Sequence, residues 1–370
     1  MESQEVDEKS RKFAKLEQQV QTNRMLDDVD QQLVHALQIS PRADWSLIGD
    51  VLGIDAVTAA RRWQRMSESG SAWVSVAPGT GLSGQGKGCL AFVEVDCVSG
   101  ALLDVARAFT SLPYVVTVEH VTGDRDLLLT VMMEDVGTLS RWVVGYLDTM
   151  EGIRSSRTHV AGAVFTEGSR WRLRALDPKQ VDRIAQDVPA LEPAGEPDAL
   201  DRRLMVALSV DGRASYTDLA RTCGSSPDTV RRRVRRMFAS RVVQARCEVS
   251  RPLSEWPVAV IVWAQLPPDG ITAAAQRISS MREVRSCAGV TGRHNLMVAA
   301  WSRSVEDAQR FEAELVRTAP QLVVGDRSIA LWPMKLSGHL LDQHGFRTGM
   351  VPVDPWEVDT GHGSRDATQP

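Results

Sequence analysis

Five arginines stand within six residues in the second half of the chain: Arg231, Arg232, Arg233, Arg235 and Arg236. A guanidinium keeps its positive charge at any physiological pH and presents a planar fork of donors, which suits phosphate oxygens and the major-groove edge of guanine. The residues just before the cluster supply a helix start. Ser226 is placed to cap, Pro227 suits the first helical position and Asp228 favours the positive end of the helix dipole. Five arginines cannot share one side of a helix. Those on the exposed face near its start are expected to reach base edges and the flanking ones phosphates, while Val230, Val234 and Met237 anchor the opposite stripe. Ser226 and Thr229 complete this candidate double-stranded DNA contact set. The alternative is an arginine helix that faces only water, and the nucleic-acid reading fails if the guanidiniums are tied to acids of their own chain.

The cluster belongs to an element written twice. Residues 30–72 and 201–243 align without a gap at an offset of 171 and share at least eleven residues, against roughly three by chance. Among them are Asp30/Asp201, Leu33/Leu204, Arg42/Arg213, Gly53/Gly224, Thr58/Thr229, Arg62/Arg233 and Arg65/Arg236. The first copy keeps Arg61, Arg62 and Arg65 as further contact candidates. Between Asp30 and Ala72, however, four arginines face five acids, whereas residues 201–241 hold ten arginines against four aspartates. The chain's net charge of −4 hides this local excess, and local fields steer binding. Fewer phosphate neutralisations imply a weaker, less salt-sensitive grip for the first copy, and whether it reads DNA or only supports the second is left open.

The elements that must position these residues follow from spacing. Asp198 and Asp201 stand at the cap and third position of a helix carrying Leu204, Ala207 and Leu208, which Gly212 closes. Thr217 opens a short helix over 218–223, Gly224-Ser225-Ser226 turns, and the arginine helix completes a helix-turn-helix. The first copy follows the same path with Asp55 as the cap of its third helix. The β-prone stretches 71–77 and 241–249 suit wings or connecting strands. Downstream, strands over 88–97, 114–121, 127–133 and 153–165 enclose helices over 100–112 and 136–150. The second copy has strands over 258–266, 284–290, 296–301 and 322–331, with helices over 271–281 and 305–318. This βαββαβ order predicts an α+β fold in which two winged helix-turn-helix domains alternate with two ferredoxin-like domains. The expected divisions are an N-terminal arm (1–25), a first head (26–78), a first ferredoxin-like domain (88–170), an Ala/Pro-rich linker (185–198), a second head (199–250), a second ferredoxin-like domain (256–335) and a disordered tail (350–370).

At an offset of 169 the β-turn Thr122-Gly123-Asp124-Arg125-Asp126 recurs as Thr291-Gly292-Arg293-His294-Asn295. Glycine there permits close backbone approach and leaves amide donors for a small carboxylate; a plain strand-joining turn is the alternative. Gly81–Gly88, GLSGQGKG, lacks the Ser or Thr and the following helix of a phosphate-binding loop, so it reads as a hinge. The apolar runs 127–133 and 258–266 fall short of the roughly 20 residues that cross a bilayer. With a polar N-terminus, the chain is expected to be cytoplasmic, without a membrane partner. The cysteines show no C-x-x-C spacing and the histidines form no metal-like set. No catalytic constellation stands out, and no metal or cofactor is expected.

The phrase Leu200-Asp201-Arg202-Arg203-Leu204, the segments Gly212-Arg213-Ala214 and Asp218-Leu219-Ala220, and Ser226-Pro227-x-Thr229-Val230-x-x-Arg233-Val234, followed by βαββαβ with its Val-Thr-Gly-x-x-Asp turn, resemble the Lrp/AsnC (feast/famine) family of transcription regulators. Residues 26–165 look like one such unit and 199–335 like a second. The resemblance implies a helix-turn-helix regulator whose ferredoxin-like (RAM) domains pair into oligomers and bind amino acids near the glycine turn. It makes Thr122, Gly123, Asp124 and Asp126, and in the second unit Thr291, Gly292 and Asn295, the effector candidates. Arg293 and Asn295 replace the acids that would hold an amino group, which weakens the second turn. A tandem of this kind is a covalent pseudo-dimer whose two unlike heads fit DNA with two unlike half-sites. Two other functions stay open: an enzyme like the siroheme decarboxylases, which are similar in fold, and a metabolite sensor acting through protein contacts.

Overall fold

The structure, a computed structural model, describes residues 26–79, 88–193 and 195–358. The expected arm, nearly all of the glycine-rich hinge and the end of the tail lie outside the described residues. The first head consists of α1 (Asp28–Ile39), α2 (Trp45–Leu52) and α3 (Ala56–Glu68), and β1 (Ala72–Pro78) leaves it. Then come β2 (Cys89–Cys97), α4 (Leu102–Thr110), β3 (Val115–Val121), β4 (Leu127–Met133), α5 (Val136–Trp142) and β5 (Ile153–Thr166). A helix that the spacing does not predict, α6 (Pro178–Ala185), stands between the halves. The second head is α7 (Ala199–Val210), α8 (Tyr216–Cys223), α9 (Pro227–Ala239) and β6 (Val243–Val249). The second βαββαβ unit is β7 (Val258–Gln265), α10 (Ile271–Ile278), β8 (Val284–Val290), β9 (Leu296–Ser302), α11 (Val305–Thr318) and β10 (Val323–Leu336), extended by β11 (His339–Leu341) and β12 (Arg347–Met350).

Local chemistry sets these boundaries. Reciprocal capping boxes start α1 (Asp27 with Asp30) and α7 (Asp198 with Asp201), satisfying amide donors that a helix start leaves open. Gly53 and Gly224 end α2 and α8 at φ 68° and 64°, a left-handed conformation that costs glycine nothing. Several expectations need correction. Helix α8 starts earlier than Thr217 because the Ser215 hydroxyl accepts from Asp218 N at 3.0 Å. Gly212 is no helix stop: α7 ends on Asp211, and Gly212 N donates to Val74 O of the other head at 3.2 Å. Strand β10 continues past residue 331 because β11 and β3 pair with its far half. Residues 351–358 of the expected disordered tail are docked: Val353 is buried and its N donates to Ser209 Oγ at 2.9 Å, while the Arg202 guanidinium lies 4.9 Å from the Trp356 ring.

The two heads are interlocked. Strands β1 and β6 form an antiparallel ribbon from Ala72 opposite Val249 to Pro78 opposite Val243, and α1 packs on β6 while α7 packs on β1. Both heads therefore share one apolar core, with Leu33, Leu37, Ile48 and Met66 from the first and Leu204, Leu208, Val230 and Met237 from the second. The repeated arginine of each loop crosses to the other head. Arg42 donates to Gly212 O (2.6 Å) and Ala214 O (2.9 Å), and Arg213 to Pro41 O (2.7 Å) and Ala43 O (2.9 Å). Each guanidinium also lies over a ring of the opposite copy, Tyr216 at 5.0 Å and Trp45 at 4.0 Å, which adds cation–π attraction.

The ferredoxin-like units are joined as completely. Their strands run β3-β4-β2-β5-β8-β9-β7-β10 and return to β3, so the eight close into a ring. The two seams are equivalent: β5 meets β8 with Ala161 opposite Val290, and β10 meets β3 with Ala330 opposite Val121. Side chains alternate across each strand. On β2, Ala91, Val93 and Val95 pack with Phe109, Leu139 and Trp142 of the covering helices. Phe92 points the other way, towards Leu128, Trp263 and Met297 between the sheets.

Lys335 is fully buried, and its ammonium donates to Leu112 O at 2.7 Å with no acid partner among the described residues. Burial pushes its pKa down to about 7. The unfolded chain, with an ordinary lysine near 10.4, therefore binds more protons between these values, and stability rises with pH across that window. Lys335→Met is expected to raise stability by about 1–3 kcal/mol at pH 7 and to flatten the pH dependence of thermal melting between about pH 7 and 10. Unchanged melting profiles would refute this.

Candidate nucleic-acid interface and effector site

The arginines of α9 divide into two groups. Arg233 reaches back to Asp198 (2.6 Å) and Asp201 (3.1 Å), and Arg236 to Asp201 (2.7 Å), so these guanidiniums tie α9 to the start of α7. The Asp201 amide and the Arg233 guanidinium hold the Asp198 carboxyl below its usual range. Arg231, Arg232 and Arg235 are exposed, with no ion-pair partner among the described residues. The first head repeats the lattice: Arg62 meets Asp27 (2.7 Å) and Asp30 (2.9 Å), and Arg65 meets Asp30. On α3, Ala60 and Gln64 stand where α9 has Arg231 and Arg235, leaving Arg61 exposed in the place of Arg232. Arginines common to both copies are thus mostly fasteners. The signal that could have separated them is the acid pair Asp27/Asp198 and Asp30/Asp201, repeated at the same offset. Ser226 Oγ accepts from Thr229 N at 3.3 Å and donates to Thr229 Oγ1 at 2.9 Å, so both contact candidates build the cap that aims the exposed arginines.

The glycine turns lie at the seams of the ring. Thr122 N donates to Ile329 O and Thr122 Oγ1 accepts from Ile329 N, both at 2.9 Å; Thr291 makes the same two bonds with Val160. Each turn therefore grips the last strand of the other unit. Asp126 accepts from Cys97 N at 2.7 Å, and Asn295 both accepts from Leu266 N (2.9 Å) and donates to Leu266 O (2.7 Å), so acid and amide do the same backbone work. Asp124 is exposed. At the second turn, a Cβ on Gly292 would lie 2.7 Å from His159 Nδ1, whereas one on Gly123 would meet nothing closer than 3.7 Å. The open first turn borders a cavity of about 170 Å³ lined by Thr122, Val262, Gln309, Glu312, Arg327 and Ser328, among others.

Beside the turns lies a charged group that sequence reasoning missed. Arg125 is buried between Glu94 (3.0 Å) and Asp326, and His159 Nε2 lies 3.7 Å from Glu94. The neighbouring Glu94 carboxylate raises the His159 pKa. A carboxylate in the middle of the otherwise apolar run Cys89–Val95 was the available signal, since an acid there needs a buried partner.

The sequence model of the AsnC-type helix-turn-helix domain matches residues 26–67 and 198–237, and that of the Lrp/AsnC ligand binding domain matches 90–170 and 259–337. The transcriptional regulator LrpA of Mycobacterium tuberculosis is 33% identical over 134 residues, 34% of this chain and 89% of that protein. The regulatory protein AsnC of Escherichia coli K12 is 26% identical over 136 residues, covering 36% of this chain and 90% of its own length. Each relative thus spans about one of the two halves. Over most of its length the fold is similar to a crystal structure of the siroheme decarboxylase NirDL, with a TM-score of 0.52 at 12% identity, covering 84% of this chain and 93% of that one. That likeness concerns the fold alone. The domain matches cover more than half of the chain and occur twice: it belongs to the Lrp/AsnC family of transcriptional regulators, in a tandem form with two helix-turn-helix and two ligand-binding domains.

Proposed function

We propose that the protein binds double-stranded DNA sequence-specifically through α9, with Arg231, Arg232 and Arg235 at the groove. The observation that carries this reading is the exposure of those three guanidiniums on a helix whose other two arginines are held fast. Preorganised cations lose little on binding and release condensed counterions from the phosphates. Arg233, Arg236, Arg62 and Arg65 act as positioning residues, and Arg61 is the first head's contact. The heads carry unlike surfaces, so the operator is an imperfect palindrome with two unlike half-sites. A small metabolite of amino-acid type is taken at the first turn, where Gly123 and Asp124 border open space, and further copies of the chain assemble through the ferredoxin-like units.

The enzyme reading finds less support. The cavity between the sheets measures about 180 Å³, below the roughly 300–1,000 Å³ of drug-sized sites, and a tetrapyrrole needs the upper part of that range. Selection of bound sequences from random DNA, followed by gel shifts at several salt concentrations, tests the proposal. Unequal half-sites with salt-sensitive binding are expected. Perfectly symmetric sites would refute the unlike-heads reading, and absence of DNA binding together with decarboxylation of a tetrapyrrole would favour the enzyme.

A further inference from the structure

The third helices of the two heads present the same stripe of positions with different chemistry. Positions 57, 60, 61 and 64 of α3 recur at helical spacing on the side away from its buried residues Ala59, Trp63 and Met66, and their counterparts on α9 are 228, 231, 232 and 235. On α9 the stripe reads Asp228, Arg231, Arg232 and Arg235, all exposed. On α3 it reads Val57, Ala60, Arg61 and Gln64, and Val57 stands 74% exposed at the start of the helix. Gln64 donates through Nε2 to Glu68 Oε1 at 2.8 Å, which orients its amide and leaves a second N–H and the carbonyl oxygen for another partner. The β1–β6 ribbon and the shared core hold both helices in one fixed relation, so each meets its own half of a site.

We propose that the two heads read half-sites of opposite base composition, α9 one rich in G·C pairs and α3 one rich in A·T pairs. This rests on the reading that both helices enter the major groove, and it adds which bases they select. In that groove guanine shows two acceptors, cytosine an amino donor, adenine a donor beside an acceptor and thymine a methyl group. At three of the four paired positions the α9 residue suits G·C and the α3 residue suits A·T. Asp228 accepts from cytosine N4, whereas Val57 packs on a thymine methyl. Arg231 and Arg235 each donate to guanine O6 and N7. In their places Ala60 meets a thymine methyl, and Gln64 donates to adenine N7 while accepting from adenine N6. The fourth position is arginine in both helices, Arg61 and Arg232, so the half-sites keep one G·C pair in common and diverge on either side of it.

The test is selection of duplexes from random DNA by the full chain, followed by affinity measurements on every single base-pair change of the selected site. One half-site should be A·T-rich and the other G·C-rich. For the wild type, changing the adenine that Gln64 meets should weaken binding at least about fivefold, the low end for a bidentate base contact. In Gln64→Ala that discrimination should vanish while the guanine preferences of the other half persist; in Arg235→Ala one guanine preference should vanish while the adenine preference persists. Fresh selection with the double variant Ala60→Arg, Gln64→Arg should turn the A·T-rich half towards guanine. Circular dichroism melts establish that each variant is folded. Half-sites of equal composition, or full adenine discrimination by Gln64→Ala, would overturn this inference and leave DNA binding standing. Absence of binding to any duplex would overturn both.

Discussion

The triple replacement of Arg231, Arg232 and Arg235 by alanine is expected to lower affinity for the selected operator by at least about 10²-fold, since each base contact is worth about 1–3 kcal/mol. The fold should survive, because the three side chains are exposed and unpaired among the described residues and alanine favours helix. The slope of log affinity against log salt should also fall by roughly one for each phosphate contact removed. Arg61→Ala in the first head should cost far less, since α3 presents Ala60 and Gln64 where α9 presents two of its free cations. Filter binding or fluorescence anisotropy at several ionic strengths measures both quantities. A triple variant that binds as tightly as the wild type, with an unchanged salt slope, would remove α9 from the interface.

The second large effect concerns stability. Glu248 on β6 is 1% exposed and Arg285 on β8 is 9% exposed, and they meet at 2.5–2.6 Å. The Arg285 guanidinium also lies 4.0 Å from the Trp301 ring. Glu248→Gln leaves that cation buried without its counter-charge, which costs about 3–5 kcal/mol. Denaturant or thermal unfolding should show a loss of this size, and adding Arg285→Met should recover much of it by removing the stranded charge. A single variant as stable as wild type would mean that the guanidinium finds water. Because β6 belongs to the second head and β8 to the second ferredoxin-like unit, this pair also fastens reading head to sheet.

Much of the architecture was legible because it rests on local signals. The Asp198/Asp201 cap, the glycine at 224 and the alternation in β2 and β7 are written in neighbouring residues. The exchange of β1 and β6 was not, since a short β-prone strand pairs equally well within its own head or with another. The arginine helix shows the limit most clearly. Spacing placed five guanidiniums on α9, but only the fold brings Asp201 beneath Arg233 and Arg236 and so divides fasteners from free cations. Asp126 was similar: its carboxylate suited a ligand's amino group, and only the fold shows that one of its oxygens also accepts from the Cys97 amide.

The ring of strands also orders events during synthesis. Its final seam joins β10, near the end of the chain, to β3 in the first half. Until β10 emerges from the ribosome, β3 presents an unsatisfied edge of amides and carbonyls, the kind of surface that recruits a strand from any neighbour. Two nascent copies whose first halves meet at that stage have a ready route to swapping, so prompt completion of the second half protects the first.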